Sequence, residues 1–288
     1  MSIMTKIACI QITPFYADVD QNLEKAERYI LEACENGANL LVVPELFNIG
    51  SVKDRQIVRN LAEKIPEGKT SQWMMGLAME KGVYICGSIL EIDGVDIYNT
   101  AILMGPDGFI GKYRKLHLCG REVHNYEPGN LGIPVFRTPI GRIAMLICQD
   151  SNFPETFRIA AMQGADIVLV PFAGGDWMEK RGFPDGMHTM VPAACMYNSL
   201  VNHIYVVGCN RTGVCNGVRK AGQSIITNTT GGLSAPIAPY DEEVILYAEV
   251  DLVASRDKQA QSVGHGRIAD RREDIYDTLL GYDPKRFQ

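Results

Sequence analysis

Gly37-Ala38-Asn39-Leu40-Leu41-Val42-Val43-Pro44 returns later in the chain as Gly164-Ala165-Asp166-Ile167-Val168-Leu169-Val170-Pro171. Each copy is a glycine stop, a continuous apolar strand and a proline break. Working outward from the first copy, residues 7–11 form a strand. A helix follows from about 22, with Leu23, Ala26, Ile30, Ala33 and Cys34 on one face and Gly37 as its C-terminal stop. Before the second copy, residues 143–147 form a strand ending at Cys148, and 154–163 form a helix. Strands that are apolar at nearly every position are buried on both faces. The repeat therefore predicts a sheet covered by helices on one side and by a second sheet on the other.

Further strands are predicted over 83–89, 99–104, 109–113, 204–208, 223–227 and 244–250, with a helix over 191–200. Pro106-Asp107-Gly108 and Gly231-Gly232 are turns. No linker or low-complexity stretch divides the chain, so one domain over 1–288 is expected. Its tail, from about 252, is charged and poorly periodic and is expected to pack on a partner subunit or on the sandwich surface.

Hydrophobic residues make up 46% of the 288 and charged residues 22%, the balance of a soluble globular protein. A net charge of −6, with no basic run interleaved with aromatics, argues against nucleic acid and anionic membranes as partners. No stretch approaches a membrane span, and the apolar run at 7–10 is too short for a signal-peptide core, so a cytoplasmic location is expected. The eight cysteines are widely spaced without a C-x-x-C pair, and the five histidines lack helix-face metal spacing. Cys9, Cys34 and Cys86 read as buried hydrophobes, and His117, His188 and His265 as hydrogen-bonding structural residues. Neither a metal nor a cofactor is expected.

Chemistry belongs at the carboxyl ends of the strands. Glu45 closes one apolar strand, Cys148 closes its counterpart in the second unit, and Lys115 follows the strand over 109–113. Taken singly, each has a plainer reading: a solvated glutamate, a surface lysine in the run Lys112-Tyr113-Arg114-Lys115, a core cysteine. Only their shared placement joins them. Together they could take a thiol proton, favour the thiolate and hold an oxyanion.

These residues stand in segments that resemble the nitrilase superfamily of carbon–nitrogen hydrolases, especially its amidase and carbamoylase branches. The matching segments are Val43-Pro44-Glu45-Leu46-Phe47, Tyr113-Arg114-Lys115-Leu116-His117-Leu118 and Cys148-Gln149-Asp150-Ser151-Asn152-Phe153-Pro154-Glu155. Tyr98-Asn99-Thr100, Asn210-Arg211-Thr212-Gly213, Gly222-Gln223-Ser224 and a late motif at 270–276 continue the pattern in family order. The resemblance implies a four-layer α-β-β-α sandwich and a homodimer or higher homo-oligomer built through helices. It also implies Glu45 as general base, Lys115 as oxyanion stabiliser and Cys148 as nucleophile. A second active-site glutamate, six residues before a Pro-Gly pair, falls on Glu122 before Pro128-Gly129. The backbone N–H of Gln149 would be a second oxyanion donor. Val201-Asn202 and Cys119 depart from the usual pattern and leave the subfamily open.

The expected reaction is hydrolysis of a small linear amide or N-carbamoyl compound. Nitrile hydrolysis is the nearest alternative, although Gln149-Asp150 replaces the Trp-Glu usual in nitrilases. A Cys–His protease and a non-catalytic binding protein fit less well, since no histidine holds a motif position and all three catalytic residues are intact. Tyr126 and Trp177 are expected to line the substrate pocket, with Arg121 or Asp176 as a charged contact.

Overall fold

The computed structural model describes residues 4–178, 181, 182, 184–253, 255, 256, 268 and 271. The first half runs β1 (Met4–Gln11), α1 (Val19–Glu35), β2 (Leu40–Val42), α2 (Arg55–Leu61), α3 (Lys69–Lys81), β3 (Tyr84–Asp93), β4 (Asp96–Gly105) and β5 (Gly108–Arg114). The second half runs β6 (Val135–Thr138), β7 (Gly141–Met145), α4 (Pro154–Met162), β8 (Ile167–Phe172), α5 (Val191–Asn202), β9 (Tyr205–Asn210), β10 (Thr212–Cys215), β11 (Val218–Ala221), β12 (Ile225–Ile226) and β13 (Val244–Asp251).

Two sheets result, ordered β13-β1-β2-β3-β4-β5 and β12-β9-β8-β7-β6. Both have a parallel centre: β2 lies between β1 and β3, and β8 lies between β7 and β9. Period-two alternation sorts the side chains into layers. On the first sheet Ala8, Ile10, Leu41 and Val43 face α1 and α3, where Leu23, Ala26, Ile30, Met74 and Leu77 complete a buried cluster. Their neighbours Ile7, Cys9, Leu40 and Val42 turn the other way, into a core shared with β7, β8 and β9. Phe157 of α4 and Val191 and Cys195 of α5 close the far side. This is the expected four-layer α-β-β-α sandwich. Each fully buried Leu or Ile contributes about 1.5–3 kcal/mol relative to exposure, which makes the two-sheet core the main cohesive element.

The helix starts and stops are where the local chemistry puts them. Asp18 caps α1 by accepting from the Gln21 N–H at 3.1 Å, and Gly37 takes the left-handed turn beyond it at φ 79°. Strand β7 ends two residues before the expected end at 147, because the Ile147 N–H leaves the ladder for the Asp150 carboxylate at 2.9 Å. Cys34 is partly exposed rather than buried, lying near the C-terminal end of α1 against the edge of its cluster. The expected contact of the tail with a partner subunit, His265 and the motif at 270–276 fall almost entirely outside the described residues.

Candidate active site

Two strand ends from opposite sheets build the site. Glu45 sits just past β2, and its N–H donates to the Phe172 carbonyl at the end of β8, 3.3 Å away. In the repeat, the partner of Val43-Pro44-Glu45 is Val170-Pro171-Phe172. Cys148 instead follows β7, which corresponds to β1. Glu45 and Cys148 are therefore not counterparts as expected. Face-to-face packing of the two sheets, and not equivalence within the repeat, brings them together.

The turn after Glu45 is tightly held. Leu46 adopts φ 46°, and the buried Arg211 guanidinium clamps this turn. Its Nε donates to the Glu45 carbonyl at 2.5 Å, and its Nη2 to the carbonyls of Leu46 at 2.8 Å and Gly50 at 3.2 Å. The Glu45 side chain is 2% exposed. Lys115 Nζ and Asn99 Nδ2 both donate to its Oε1, at 2.7 and 2.8 Å. Its Oε2 takes no hydrogen bond among the described residues. Burial pushes this carboxyl's pKa up, but the ammonium of Lys115 outweighs it and holds the group below the usual carboxylate range.

Strand β5 and the residue after it distribute four consecutive polar side chains to three tasks. Lys112 and Arg114 both pair with Glu91. The Tyr113 hydroxyl donates to Asp150 Oδ2 at 2.7 Å. Lys115, 1% exposed, reaches Glu45 and chelates both oxygens of Glu122 at 2.9 Å. Burial acts to lower the lysine's pKa, and the charges of Glu45, Cys148 and Glu122 reverse that, leaving it well above the ordinary value. Glu122 stands in a short 3-10 turn, Gly120–His124. Its own pKa is raised, by burial first and against the pull of Lys115. Gly129 anchors this loop: its N–H donates to the Lys115 carbonyl at 2.8 Å, and a Cβ there would collide with the Arg114 carbonyl oxygen.

Cys148 opens a second 3-10 turn, Cys148–Asn152, with φ 42°. A non-glycine residue there costs of order 1–3 kcal/mol and persists only when its surroundings fix it. Asp150 does the fixing, accepting from the backbone of Ile147 and His117, from Tyr113, and sharing a 2.8 Å contact with His117 Nδ1. Ala173, just beyond β8, lines the same cavity as the sulfur. Burial, and then the charge of Glu45, push the thiol's pKa above its usual range, while Lys115 and Ala173 pull against them. Lys115 alone therefore does not secure a resting thiolate. Its charge is already engaged by two carboxylates.

Glu45, Lys115, Glu122, Cys148 and Tyr126 open on one cavity of about 380 Å³, and Arg121 reaches it too. Two expected contacts do not. Gln149 lies outside the lining, with its side-chain oxygen bound to Asn152 at 3.1 Å. Trp177 is 37% exposed and stacks with Arg181 at 4.3 Å. The segment after β8 shows the cavity the backbone of Ala173, then pairs Gly175 with Lys220 on β11, which carries Trp177 outward. Asp176 goes with it, bound to the Tyr240 hydroxyl at 2.6 Å. The sequence reading assigned no task to Asn99 or Arg211, although both stand in the quoted motifs, and it missed Lys220 altogether. The Asn216-Gly217 turn signal of the β10–β11 hairpin could have pointed to Lys220.

A carboxylate, an ammonium and a thiol meeting at one cavity define an enzyme that attacks an electrophilic carbon with sulfur. Residues 6–259 match the family described as carbon-nitrogen hydrolase, and the chain belongs to it. It is 37% identical to a nitrilase of Pyrococcus abyssi over 274 residues, 95% of this chain and 99% of the relative. It is 31% identical to the N-carbamoylputrescine amidase of Solanum lycopersicum, covering 92% of each. An amidase from Nesterenkonia sp. AN1, solved with acrylamide added to its active-site cysteine, superposes with a TM-score of 0.80 at 25% identity, over 96% of this chain and 100% of that one.

Proposed function

We propose that the protein hydrolyses small linear amides or N-carbamoyl compounds, with Cys148 as nucleophile, Glu45 as general base and Lys115 as oxyanion stabiliser. The observation that carries this reading is the meeting of Cys148, Glu45 and Lys115 on one cavity, with Lys115 Nζ 2.7 Å from Glu45. The thiol proton passes to Glu45 as sulfur adds to the substrate carbonyl. Lys115 holds the resulting oxyanion. Collapse to the thioester expels ammonia, or an amine, which takes the proton from Glu45. Water then adds to the thioester, giving its proton to Glu45, and the acid leaves as the thiol is restored. Glu122 positions Lys115 through its two-oxygen contact. Tyr126 forms part of the cavity wall.

Gln149-Asp150 after the nucleophile favours amide over nitrile chemistry, whereas the 37% identity to a protein named nitrilase favours the reverse. We further infer one cytoplasmic catalytic domain that assembles as a homodimer or larger homo-oligomer. The exposed Ile159, Met162 and Tyr197 on the outer layer of α4 and α5 support that assembly. Ammonia release, screened over amides, N-carbamoyl amino acids, ureido acids and nitriles, tests the reaction. Intact mass should show an acyl adduct on Cys148. An adduct on another cysteine, or release from nitriles alone, would sink the amidase reading.

A further inference from the structure

The cavity holds more positive charge than the reaction uses. Lys53, Lys115, Arg121, Arg211 and Lys220 line it against only two carboxylates, in a chain whose net charge is −6. Lys115 is matched by those carboxylates, Glu45 and Glu122. Arg211 spends its donors on the Glu45–Gly50 turn and on the Ser51 hydroxyl. Lys53 and Arg121 are exposed at the mouth.

Lys220 is different. It is half-buried, and among the described residues no carboxylate pairs with it and its one hydrogen bond goes to the Ala173 carbonyl at 2.5 Å. An ammonium has three donors, so two remain. Burial, then the neighbouring Arg211, lower its pKa, as expected for a cation lacking a counter-charge. Ala173 also fixes where this ammonium lies. Its C=O accepts from Lys220, and it lines the same cavity as Cys148. Both groups face one cavity of about 380 Å³, which a single small molecule can span. A carbonyl carbon seated at the sulfur and an anion seated at Lys220 can thus belong to one small molecule.

We propose that the substrate carries a carboxylate on a short chain beyond the scissile amide or carbamoyl group, and that Lys220 binds this carboxylate. The inference rests on the hydrolase reading above and narrows it to monoamides of short dicarboxylic acids and to short ureido acids. Arg121 and Lys53 at the mouth draw the same anion inward, and an amine-tailed substrate would meet three like charges.

The test compares kcat/KM on the full chain for matched pairs. Succinamate and glutaramate are set against butyramide and valeramide, and N-carbamoyl-β-alanine against N-propylurea. The native enzyme should favour the carboxylate member by at least roughly 10-fold, and Lys220→Met should cut that preference roughly 10- to 100-fold, mostly through KM, with Lys220→Arg restoring part of it. Because the ratio compares two substrates on one protein, loss of folded enzyme cancels. A native ratio near one, or a ratio unchanged in Lys220→Met, overturns the proposal while turnover of the neutral amide leaves the hydrolase reading standing. If neither member of any pair releases ammonia or modifies Cys148, both readings fall together.

Discussion

Arg114 and Lys115 are adjacent in the chain and nearly equally buried, at 4% and 1% exposure, yet they end in opposite kinds of cluster. Around Arg114 the charges balance: Glu91 and Asp93 against Arg114 and Lys112. Glu91 also accepts from Thr100 at 2.7 Å, the guanidinium also binds Asn130 at 2.9 Å, and its plane lies 3.9 Å over Tyr98. Around Lys115 one cation faces two carboxylates, Glu45 keeps an oxygen unbonded among the described residues, and a thiol whose pKa burial raises stands nearby. A closed cluster fastens β5 to its sheet. An open one has a proton acceptor in hand and room for a substrate. β5 and the residue just after it supply both because successive residues point to opposite faces.

The largest expected effect breaks the open cluster at its reactive atom. Cys148→Ala should reduce ammonia release to background while the circular dichroism spectrum stays native, since the thioester cannot form. Residual turnover with a native profile would mean that another group attacks.

Next, the two neighbours can be set against each other. Lys115→Ala should lower kcat by about 2.7–4 kcal/mol of transition-state stabilisation, the usual cost of a lost oxyanion donor. Arg114→Ala should act on folding, costing about 1.5–3 kcal/mol because Glu91 loses both guanidinium bonds and keeps only Lys112 and Thr100. Urea unfolding, with kcat corrected for folded fraction, separates the two. If both variants lose stability and activity in the same proportion, the contrast is false.

The smallest effect is a pH dependence. A thiol held above its ordinary range is mostly protonated at pH 7, so its alkylation by iodoacetamide should rise about tenfold per pH unit from 6 to 9 without levelling off. Removing the opposing charge with Lys115→Met should slow it further. A plateau below pH 8, followed by peptide mapping of Cys148, would reveal a thiolate ion pair in place of base catalysis.

Legibility in the sequence followed packing. β1, β2, β7 and β8 were readable because burial on both faces leaves unbroken apolar runs. Helix α3 was not, because the face it buries includes Thr70 and Ser71, so no apolar stripe marks its period. The β10–β11 hairpin was passed over because Val214 and Arg219 face solvent and its strands are four residues each. Glu45, Lys115 and Cys148 were legible as strand-end residues, and Glu122 only through its motif. For Lys220 the Asn216-Gly217 turn marks the hairpin, but nothing in the sequence marks that the lysine's far end enters a cavity. Trp177 misled for the opposite reason: closeness in sequence to β8 did not survive the turn at Gly175.

The hairpin's attachment has a consequence for how the enzyme can change over generations. It is tied to the segment after β8 through main-chain contacts, the pairing of Gly175 with Lys220 and the bond from the Ala221 N–H to the Gly174 carbonyl at 3.2 Å. Such ties do not depend on which side chains the hairpin bears. Substituting the lysine leaves that seam, and the base and nucleophile on the two sheets, in place. Under the carboxylate proposal, diet and chemistry are then separately heritable: a point mutation in two short strands changes the taste and leaves the reaction unaltered.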